Sequence, residues 1–279
     1  MFLDHFGLRE DPFTLAPDPR FLYLAPGHRE ALASLYYSVT ENRGCAVMAG
    51  GVGVGKTALL YYLRSKLEES ADVIFLNCPV ADRNELIHTL LDWFRVEADP
   101  SSYLRNWRQL EALLQTRHAE GRAVILIADD AHECGAGALK SLRTLLNLET
   151  PEAKLLQIVL AGAPSLIEQL ATPELESLGQ RVHSFCQLPA LAEDQVAPYI
   201  QHRLLTAGAD TAVFTEAAAA LAGSVSGGVP LKINRLCYQA MSCAWLEGKR
   251  QVTEDAVWQV LQDLPLPEVF VSTGACHAH

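Results

Sequence analysis

The sequence of 279 residues lacks the features that would place a protein in a membrane or in an oxidising compartment. No apolar stretch approaches the ~20 residues that a membrane-spanning helix needs, and the first residues have neither the basic start nor the apolar run of a signal peptide. The seven cysteines are scattered without a C-x-x-C pair, which favours reduced thiols packed as small apolar side chains. We therefore expect a cytoplasmic protein with no integral membrane segment.

Positive charge is also scarce. The chain has 22 Lys and Arg against 33 Asp and Glu, which gives a net charge of -11 and an isoelectric point near 5.3. Such a chain does not coat nucleic acid by bulk electrostatics, although a basic strip in an oligomer would escape this test. Nucleic acid is therefore a possible partner that the net charge disfavours. With 49% hydrophobic and 20% charged residues, the composition is that of a globular protein with one large domain or two modest ones.

One motif stands out: a glycine, four residues, a second glycine, a lysine and a threonine. It is Gly50-Gly51-Val52-Gly53-Val54-Gly55-Lys56-Thr57. Backbone N–H groups must turn inward around a polyphosphate, and glycines allow the close approach and the positive φ angles that this requires. Lys56 would then reach the β- and γ-phosphates, and Thr57 would offer its hydroxyl to Mg2+. The motif predicts a nucleotide-binding phosphate loop; the alternative is a glycine-rich turn between two ordinary elements.

Short apolar runs separated by helical stretches indicate a parallel sheet covered on both faces. The runs cover residues 45–49, 73–76, 123–128, 156–161 and 182–188. A helix over 28–41 precedes the first run, because its apolar residues recur at helical spacing. The succession of strand, glycine loop and helix over 45–67 is the one that a phosphate loop requires.

Beyond Pro189 the pattern predicts helices only. They cover residues 193–207, 215–224, 230–247 and 253–261. Thr215 and Thr253 each precede acidic residues and an apolar series, so their hydroxyls are predicted to cap the helices that follow. The chain is thus predicted to have four parts: an irregular amino-terminal segment pinned by aromatic residues (1–27), an α/β nucleotide-binding domain (28–189), a small helical domain (190–263) and a mobile tail (264–279).

Two aspartates directly follow the buried run 123–128. A phosphate loop needs an acidic residue at the end of a buried strand to complete its Mg2+ site. We assign Asp129 to the Mg2+ shell and Asp130 to polarising the attacking water, because successive residues leaving a strand can serve those two neighbouring positions. The alternative for such a pair is a plain loop start.

Further segments carry a family resemblance. They are Phe6-Gly7-Leu8, Pro12-Phe13, Pro17-Asp18-Pro19-Arg20-Phe21-Leu22-Tyr23, His28-Arg29-Glu30-Ala31-Leu32, Asn147-Leu148-Glu149-Thr150, Leu155-Leu156-Gln157-Ile158-Val159-Leu160, Gln180-Arg181, Gly227-Gly228-Val229-Pro230 and Ile233-Asn234-Arg235-Leu236-Cys237. Together with the phosphate loop, they resemble the general secretion pathway protein A (ExeA-type) branch of the AAA+ ATPases, which includes MshM-like pilus-biogenesis ATPases. The resemblance spans roughly residues 1–262 and is specific, because the opening segment belongs to that branch and not to phosphate-loop proteins at large.

The resemblance implies an α/β fold: a P-loop NTPase of AAA+ type, with a five-stranded parallel sheet flanked by helices and a small all-helical lid domain after it. It implies ATP and Mg2+ as ligands, and a homo-oligomer with nucleotide sites between subunits. It also implies protein partners from a secretion or type IV pilus assembly machine. The expected location is cytoplasmic, or peripheral at the inner membrane through those partners.

The resemblance also points to three residues beyond the loop and the acids. Arg181 matches the family's arginine after glutamine and is a candidate arginine finger for a neighbour's nucleotide, or else a surface ion-pair partner. Asn77 occupies a place where related ATPases keep a polar residue that restrains the water-polarising acid; its alternative role is to cap a turn. Lys232 is a candidate nucleotide-binding residue that would replace an arginine of the lid.

Three positions depart from the family's pattern. The family usually has glutamate where this chain has Asp130, a polar residue where it has Ala163, and arginine where it has Leu231. Aspartate is one methylene shorter and would hold the water less well, and alanine cannot hydrogen-bond a γ-phosphate or a water. Lys232 would leave its helix about 100° further round than Leu231 and lacks the bidentate fork of arginine. We therefore expect firm ATP binding with slow or partner-stimulated hydrolysis.

The sequence leaves three functions open. The leading one is an ATPase that oligomerises and supports assembly of a secretion or type IV pilus system. The second is a nucleotide-gated scaffold without turnover, which the three departures favour. The third is a DNA-bound transposition regulator, since related AAA+ proteins select target DNA. Its basic strip has only scattered candidates in Arg105, Arg108 and Arg117 beside Trp107, and such residues more often form a solvated helix face.

Overall fold

A computed structural model of the chain describes residues 2–77, 80 and 82–263. These residues form two compact units. The α/β unit comprises residues 27–52 and 59–188, and the helical unit comprises residues 2–26, 53–58 and 189–263. The predicted limits of the α/β domain, 28 and 189, each lie one residue from a limit of the α/β unit, whereas the amino-terminal segment, predicted as a separate part, falls in the helical unit. The predicted mobile tail, 264–279, lies outside the described residues.

Five parallel strands form the sheet of the α/β unit, as the sequence predicted. They are β1 (Cys45–Gly50), β2 (Ala71–Asn77), β3 (Ala123–Asp129), β4 (Gln157–Gly162) and β5 (Val182–Leu188). Their order across the sheet is β2-β3-β4-β1-β5. Because the strands all run in one direction, the carboxyl ends of β1, β3 and β4 lie side by side, and we call this end of the sheet its carboxyl edge. Open α/β folds bind their ligands at that edge.

Burial along each strand accounts for the sequence pattern. β1 and β4 are buried at every residue, and β3 is buried at every residue after its first. Central strands of a parallel sheet are covered by helices on both faces, so they are continuous apolar runs in the sequence. β5 lies at an edge of the sheet, and its residues alternate between half-buried and exposed as far as Leu188. Alternate side chains of an edge strand point to opposite faces of the sheet, which accounts for the alternating exposure.

The helices follow the predicted succession. Over the described residues they are α1 (Phe2–His5), α2 (Pro26–Thr40), α3 (Lys56–Leu67), α4 (Arg83–Trp93), α5 (Tyr103–Ala119), α6 (Ala136–Leu145), α7 (Ser165–Leu170), α8 (Glu176–Gly179), α9 (Glu193–Thr206), α10 (Glu216–Ser226), α11 (Pro230–Leu246) and α12 (Glu254–Asp263), with single 3₁₀ turns at Pro19–Phe21 and Ala131–Glu133. None of these described helices is both long enough and apolar enough to cross a membrane.

In the helical unit, the four helices predicted beyond Pro189 are present as α9 to α12. The Thr215 hydroxyl accepts the N–H of Ala218 and caps α10, as predicted. The predicted cap at Thr253 is wrong, because its hydroxyl oxygen is buried and has no hydrogen-bond partner among the described residues. Val252, directly before it, forms a parallel bridge with Phe214. This bridge holds the backbone directly before α12.

The amino-terminal segment contributes to the core of the helical unit. Phe6 and Phe21 are buried there, which agrees with the predicted pinning by aromatic residues. The segment also contains α1 and a 3₁₀ turn, where the sequence predicted irregular chain. Arg203 on α9 is buried, with its guanidinium 4.9 Å from the centre of the Phe21 ring. It donates hydrogen bonds to the carbonyls of Pro12 and Thr14, so a side chain of the helical unit ties the segment down.

Candidate nucleotide-binding site

The predicted phosphate loop leaves the end of β1 and enters α3. The strand is buried throughout, and α3 is anchored by Leu59, Leu60 and Leu63, which are fully buried. Gly53 and Gly55 have φ angles of 78° and 102°, in a region that residues with a side chain rarely adopt. Positive φ at alternate residues turns neighbouring N–H groups toward one point, and such a concave backbone binds anions. The glycines therefore give the loop the shape that the motif predicts.

The loop exposes its tip and buries its lysine. Val52 is 80% exposed, whereas Lys56, the first residue of α3, is only 8% exposed. Thr57 follows in the first turn of the helix. The loop backbone, the Lys56 ammonium and the Thr57 hydroxyl are thus consecutive along the chain at a helix N-terminus, where the helix dipole also favours negative charge.

Within the helical unit, Gly53 packs against the first turn of α11. The Leu231 N–H donates to the Gly53 carbonyl oxygen at 3.1 Å. A Cβ at Gly53 would lie 2.6 Å from the Leu231 Cβ and 3.2 Å from a methyl carbon of Val229, which is too close for packed atoms. Leu231, one of the three departures from the family pattern, therefore contacts the loop with an apolar side chain. Lys232 follows it in the same turn and is half-buried.

Asp129 ends β3 at the carboxyl edge of the sheet. It is 4% exposed, and its Oδ1 accepts the N–H of Asp130 at 3.0 Å. The register between β2 and β3 places Asn77 directly beside Asp129, one residue before Asp130, the acid that Asn77 is predicted to restrain. β4 lies between β3 and β1, whose last residue, Gly50, begins the phosphate loop. Asp129 and Gly50 therefore lie at the same edge, about 10 Å apart across the strands.

Asp130 lies beyond the strand in a left-handed backbone conformation, with φ 49° and ψ 36°. Aspartate is one of the few residues other than glycine that tolerate this region. Its side chain is 58% exposed, as expected of a group that would meet a water molecule. Ala163 follows Gly162, the last residue of β4, and is half-buried. The strand next to β3 therefore brings a methyl group, and no polar side chain, to this part of the edge.

His132 was not among the predicted site residues. It lies in the 3₁₀ turn after β3. Its side chain is 18% exposed, with Nδ1 4.0 Å from Asp130 Oδ1 and Nε2 3.3 Å from Glu133 Oε1. Gln169 on α7 donates to the His132 carbonyl oxygen at 2.9 Å. A single histidine in a loop has no periodic pattern to reveal it. The available signal was its spacing, two residues after one acid and one residue before another.

Arg181 lies at the amino ends of the strands, whereas the phosphate loop begins at their carboxyl ends. It directly precedes β5, and the first residues of β5 and β1, Val182 and Cys45, pair with each other. A strand the length of β1 spans about 20 Å, so Arg181 is roughly that far from the residue at which the loop begins. The side chain is exposed. The Lys154 ammonium and, more weakly, the Arg181 charge lower the pKa of Glu149.

The basic residues considered for DNA binding are largely engaged by acids. Arg105 donates to Asp99 at 3.1 Å, and Arg117 donates to Glu120 at 2.9 Å. Trp107 is half-buried and packs against the core of the α/β unit. Pairing of Arg105 and Arg117 with acids is typical of a solvated helix face and disfavours a basic strip on α5.

The chain is similar to known proteins in sequence and in fold. Residues 39–170 match the family model of the AAA domain. General secretion pathway protein A of Aeromonas hydrophila is 35% identical over 254 residues, which cover 90% of this chain and 46% of that protein. The chain thus spans less than half the length of this relative.

Solved structures show the same fold. The ORC2 protein of Aeropyrum pernix, in ADPNP and ADP complexes, superimposes with a TM-score of 0.70 at 17% identity over 92% of this chain and 73% of that one. The RuvB Holliday junction branch migration motor of Thermotoga maritima superimposes with a TM-score of 0.60 at 16% identity over 86% of this chain and 69% of that one. These findings confirm the predicted P-loop NTPase fold of AAA type and the resemblance to the secretion protein.

Proposed function

We propose, because the chain resembles general secretion pathway protein A and contains a match to the AAA domain, that it binds ATP with Mg2+ at residues 50–57 and hydrolyses the nucleotide slowly. The observation that carries this proposal is the loop: positive φ angles at Gly53 and Gly55, directly before a buried lysine at the start of α3. Such a backbone offers N–H donors to phosphate oxygens. The ADPNP and ADP complexes of the Aeropyrum pernix ORC2 protein support an adenine nucleotide as the ligand.

Each predicted residue has a part in this proposal. Lys56 would neutralise the β- and γ-phosphates, and Thr57 and Asp129 carry the oxygen ligands that Mg2+ prefers. Among the described residues, no three His, Cys, Asp or Glu side chains are grouped to hold a metal ion by themselves. This fits a cation that is held jointly by protein oxygens and nucleotide phosphates. Asp130 would orient the attacking water, and Lys232 would be a weaker phosphate contact, because an ammonium is a point charge.

Slow turnover follows from the chemistry at the carboxyl edge of the sheet. Aspartate is one methylene shorter than glutamate, and Asp130 lies beyond the end of β3. Ala163 offers no hydrogen bond to a water or a phosphate. Misplacement of a reacting group by about 1 Å can cost a hundredfold in rate, so both features favour slow hydrolysis that a partner raises.

The position of Arg181 supports an oligomer. The residue lies about 20 Å from the start of its own phosphate loop, which is farther than a side chain reaches. It would therefore stabilise transition-state charge only on the nucleotide of a neighbouring copy, as an arginine finger supplied in trans. We propose a homo-oligomer whose active sites are each completed by a second subunit.

The cellular role is proposed from the similarity to the secretion protein. The oligomer would support assembly of a secretion or type IV pilus system, in the cytoplasm or peripherally at the inner membrane through protein partners. A second candidate is a nucleotide-gated scaffold with negligible turnover. The methyl group at Ala163 favours this candidate, because nucleotide binding does not need a polar group there and hydrolysis does.

Steady-state ATP hydrolysis over a series of protein concentrations tests the proposal, with ATP binding measured separately. We expect turnover per subunit to rise with concentration, as sites between subunits require. Lys56→Ala should lose binding and turnover, and Arg181→Ala should lose turnover alone. A mixture of these two inactive variants should recover activity, because Arg181 of a Lys56→Ala subunit can act at the intact phosphate loop of an Arg181→Ala subunit. Tight ATP binding without turnover in the wild type, with turnover restored by Asp130→Glu, would support the nucleotide-gated scaffold and refute the proposal of an ATPase.

A further inference from the structure

His132 is held firmly beside the end of the sheet. Ala131, which precedes it in the 3₁₀ turn, is fully buried. The His132 carbonyl oxygen accepts a hydrogen bond from Gln169 on α7. A Cβ added to Gly162 would lie 3.2 Å from both the backbone nitrogen and Nδ1 of His132, so the ring sits directly against the end of β4. The turn therefore presents the imidazole in one orientation.

The ring lies between two exposed carboxylates. Nδ1 is buried and has no hydrogen-bond partner among the described residues. Its distance to Asp130 Oδ1 is 4.0 Å, and Nε2 lies 3.3 Å from Glu133 Oε1. A buried ring nitrogen without a partner is unfavourable, and Asp130 can move because its side chain is largely exposed. A shift of the carboxylate by about 1 Å would bring Oδ1 within hydrogen-bond distance of Nδ1.

From this geometry we propose that His132 is a positioning residue: its Nδ1–H donates to the Asp130 carboxylate and holds that acid where it polarises the attacking water. The inference rests on the proposed hydrolysis and names the group that orients its acid. A base that is itself oriented by a third side chain is a recurrent arrangement in catalysis. Here it has a specific use, because Asp130 is short and lies outside the strand. A fixed donor limits the positions that its carboxylate takes.

Two substitutions separate positioning from packing. The amide of His132→Asn lies near the place of Nδ1, whereas the longer His132→Gln fills more of the space against Gly162 and puts its amide near the place of Nε2. If His132 positions Asp130, His132→Asn should keep most of kcat, and His132→Gln should lose about 10- to 100-fold, with KM for ATP little changed. If the ring only fills space, His132→Gln should be the better replacement, which would overturn the proposal.

A double-mutant cycle tests whether His132 acts through Asp130. In an Asp130→Asn background, exchanging His132 for glutamine should have little further effect on kcat, because the acid it orients is gone. If the two substitutions lower kcat by factors that multiply, His132 acts independently of Asp130, which would contradict the inference.

A measurement that needs no turnover separates failure of the inference from failure of the proposed function. The 15N chemical shifts of the His132 ring report which nitrogen carries hydrogen. A neutral ring carries hydrogen on one nitrogen only, and the two carboxylates compete for it. The shifts should show Nδ1–H in the wild-type protein and should change in Asp130→Ala, which removes the acceptor. Nε2–H in the wild type, with shifts that change in Glu133→Ala and not in Asp130→Ala, would show that Glu133 holds the ring and would refute the contact even if the protein hydrolyses ATP. Absence of wild-type turnover would instead refute hydrolysis, and the positioning role with it, whatever the shifts show.

Discussion

Substitution of Gly53 by alanine probes the phosphate loop most directly. The residue has a φ angle of 78°, which costs a residue with a side chain about 1–2 kcal/mol. The added Cβ would lie 2.6 Å from the Leu231 Cβ, an atom fixed to the backbone of α11, so the loop or the helix must move. Either movement weakens the hydrogen bond from the Leu231 N–H to the Gly53 carbonyl, worth about 1 kcal/mol. The total is about 2–3 kcal/mol.

This free energy should appear in one of two measurements. If the variant loop relaxes, it must return to the strained shape to hold phosphates, and ATP affinity should fall roughly 30- to 150-fold. If the loop does not relax, the affinity stays and the free energy of unfolding of the helical unit falls by the same amount. Titration with a fluorescent ATP analogue and urea denaturation together account for both cases.

Gly248→Ala is the matched control. Gly248 belongs to the same unit and has a φ angle of 71°, but an added Cβ there has no atom within 4 Å. It should show the cost of positive φ alone, about 1–2 kcal/mol of stability, with ATP affinity unchanged. The double variant Gly53→Ala, Leu231→Gly should recover part of the loss by removing the close contact. If Gly53→Ala matches the wild type in both affinity and stability, the packing account of the loop is wrong.

Three further predictions concern stability and thiol reactivity. Arg203→Met should lower the free energy of unfolding by about 2–4 kcal/mol in urea denaturation, because two carbonyls of the amino-terminal segment lose a charged donor. A decrease no larger than that caused by replacing an exposed arginine would show that these hydrogen bonds do not hold the segment. Gly228→Ala should cost about 3 kcal/mol or more, since its φ is 70° and a Cβ would fall 1.9 Å from the Leu191 carbonyl oxygen; a wild-type melting temperature would refute this. Burial raises the pKa of Cys45 to about 12 and that of Cys186 to about 11, so both should react with thiol reagents at pH 8 far more slowly in the native than in the urea-unfolded protein; equal rates would show that these thiols are accessible.

The sheet was predictable because its central strands are buried on both faces. Burial selects continuous apolar runs, and the runs at β1, β3 and β4 are therefore visible in sequence without any partner being known. The phosphate loop was predictable for a related reason. Its glycines are required by backbone shape alone, which is a local property, and Gly53 and Gly55 do have positive φ angles.

What the sequence did not reveal depends on contacts between distant residues. The Thr253 hydroxyl is buried without a hydrogen-bond partner among the described residues, and Val252 before it bridges to Phe214; neither burial nor that pairing is encoded in a local pattern. The contribution of the amino-terminal segment to the helical core depends on Arg203, which follows that segment by nearly two hundred residues along the chain. His132 matters only through its neighbours, so its residue type alone gave no reason to select it.

The helical unit is built from segments that are far apart in the chain, so they emerge from the ribosome at different times. Its first piece, residues 2–26, is synthesised before the α/β unit, whereas α9 to α12 follow about 160 residues later. At 5–20 residues per second this interval lasts roughly 10–30 s. During that time Phe6, Phe13 and Phe21 have no core to enter, while the strands of the α/β unit are emerging. The nascent chain therefore carries an uncovered aromatic segment until the helices of this unit have emerged, and during that interval the three rings are exposed to the solvent and to other proteins.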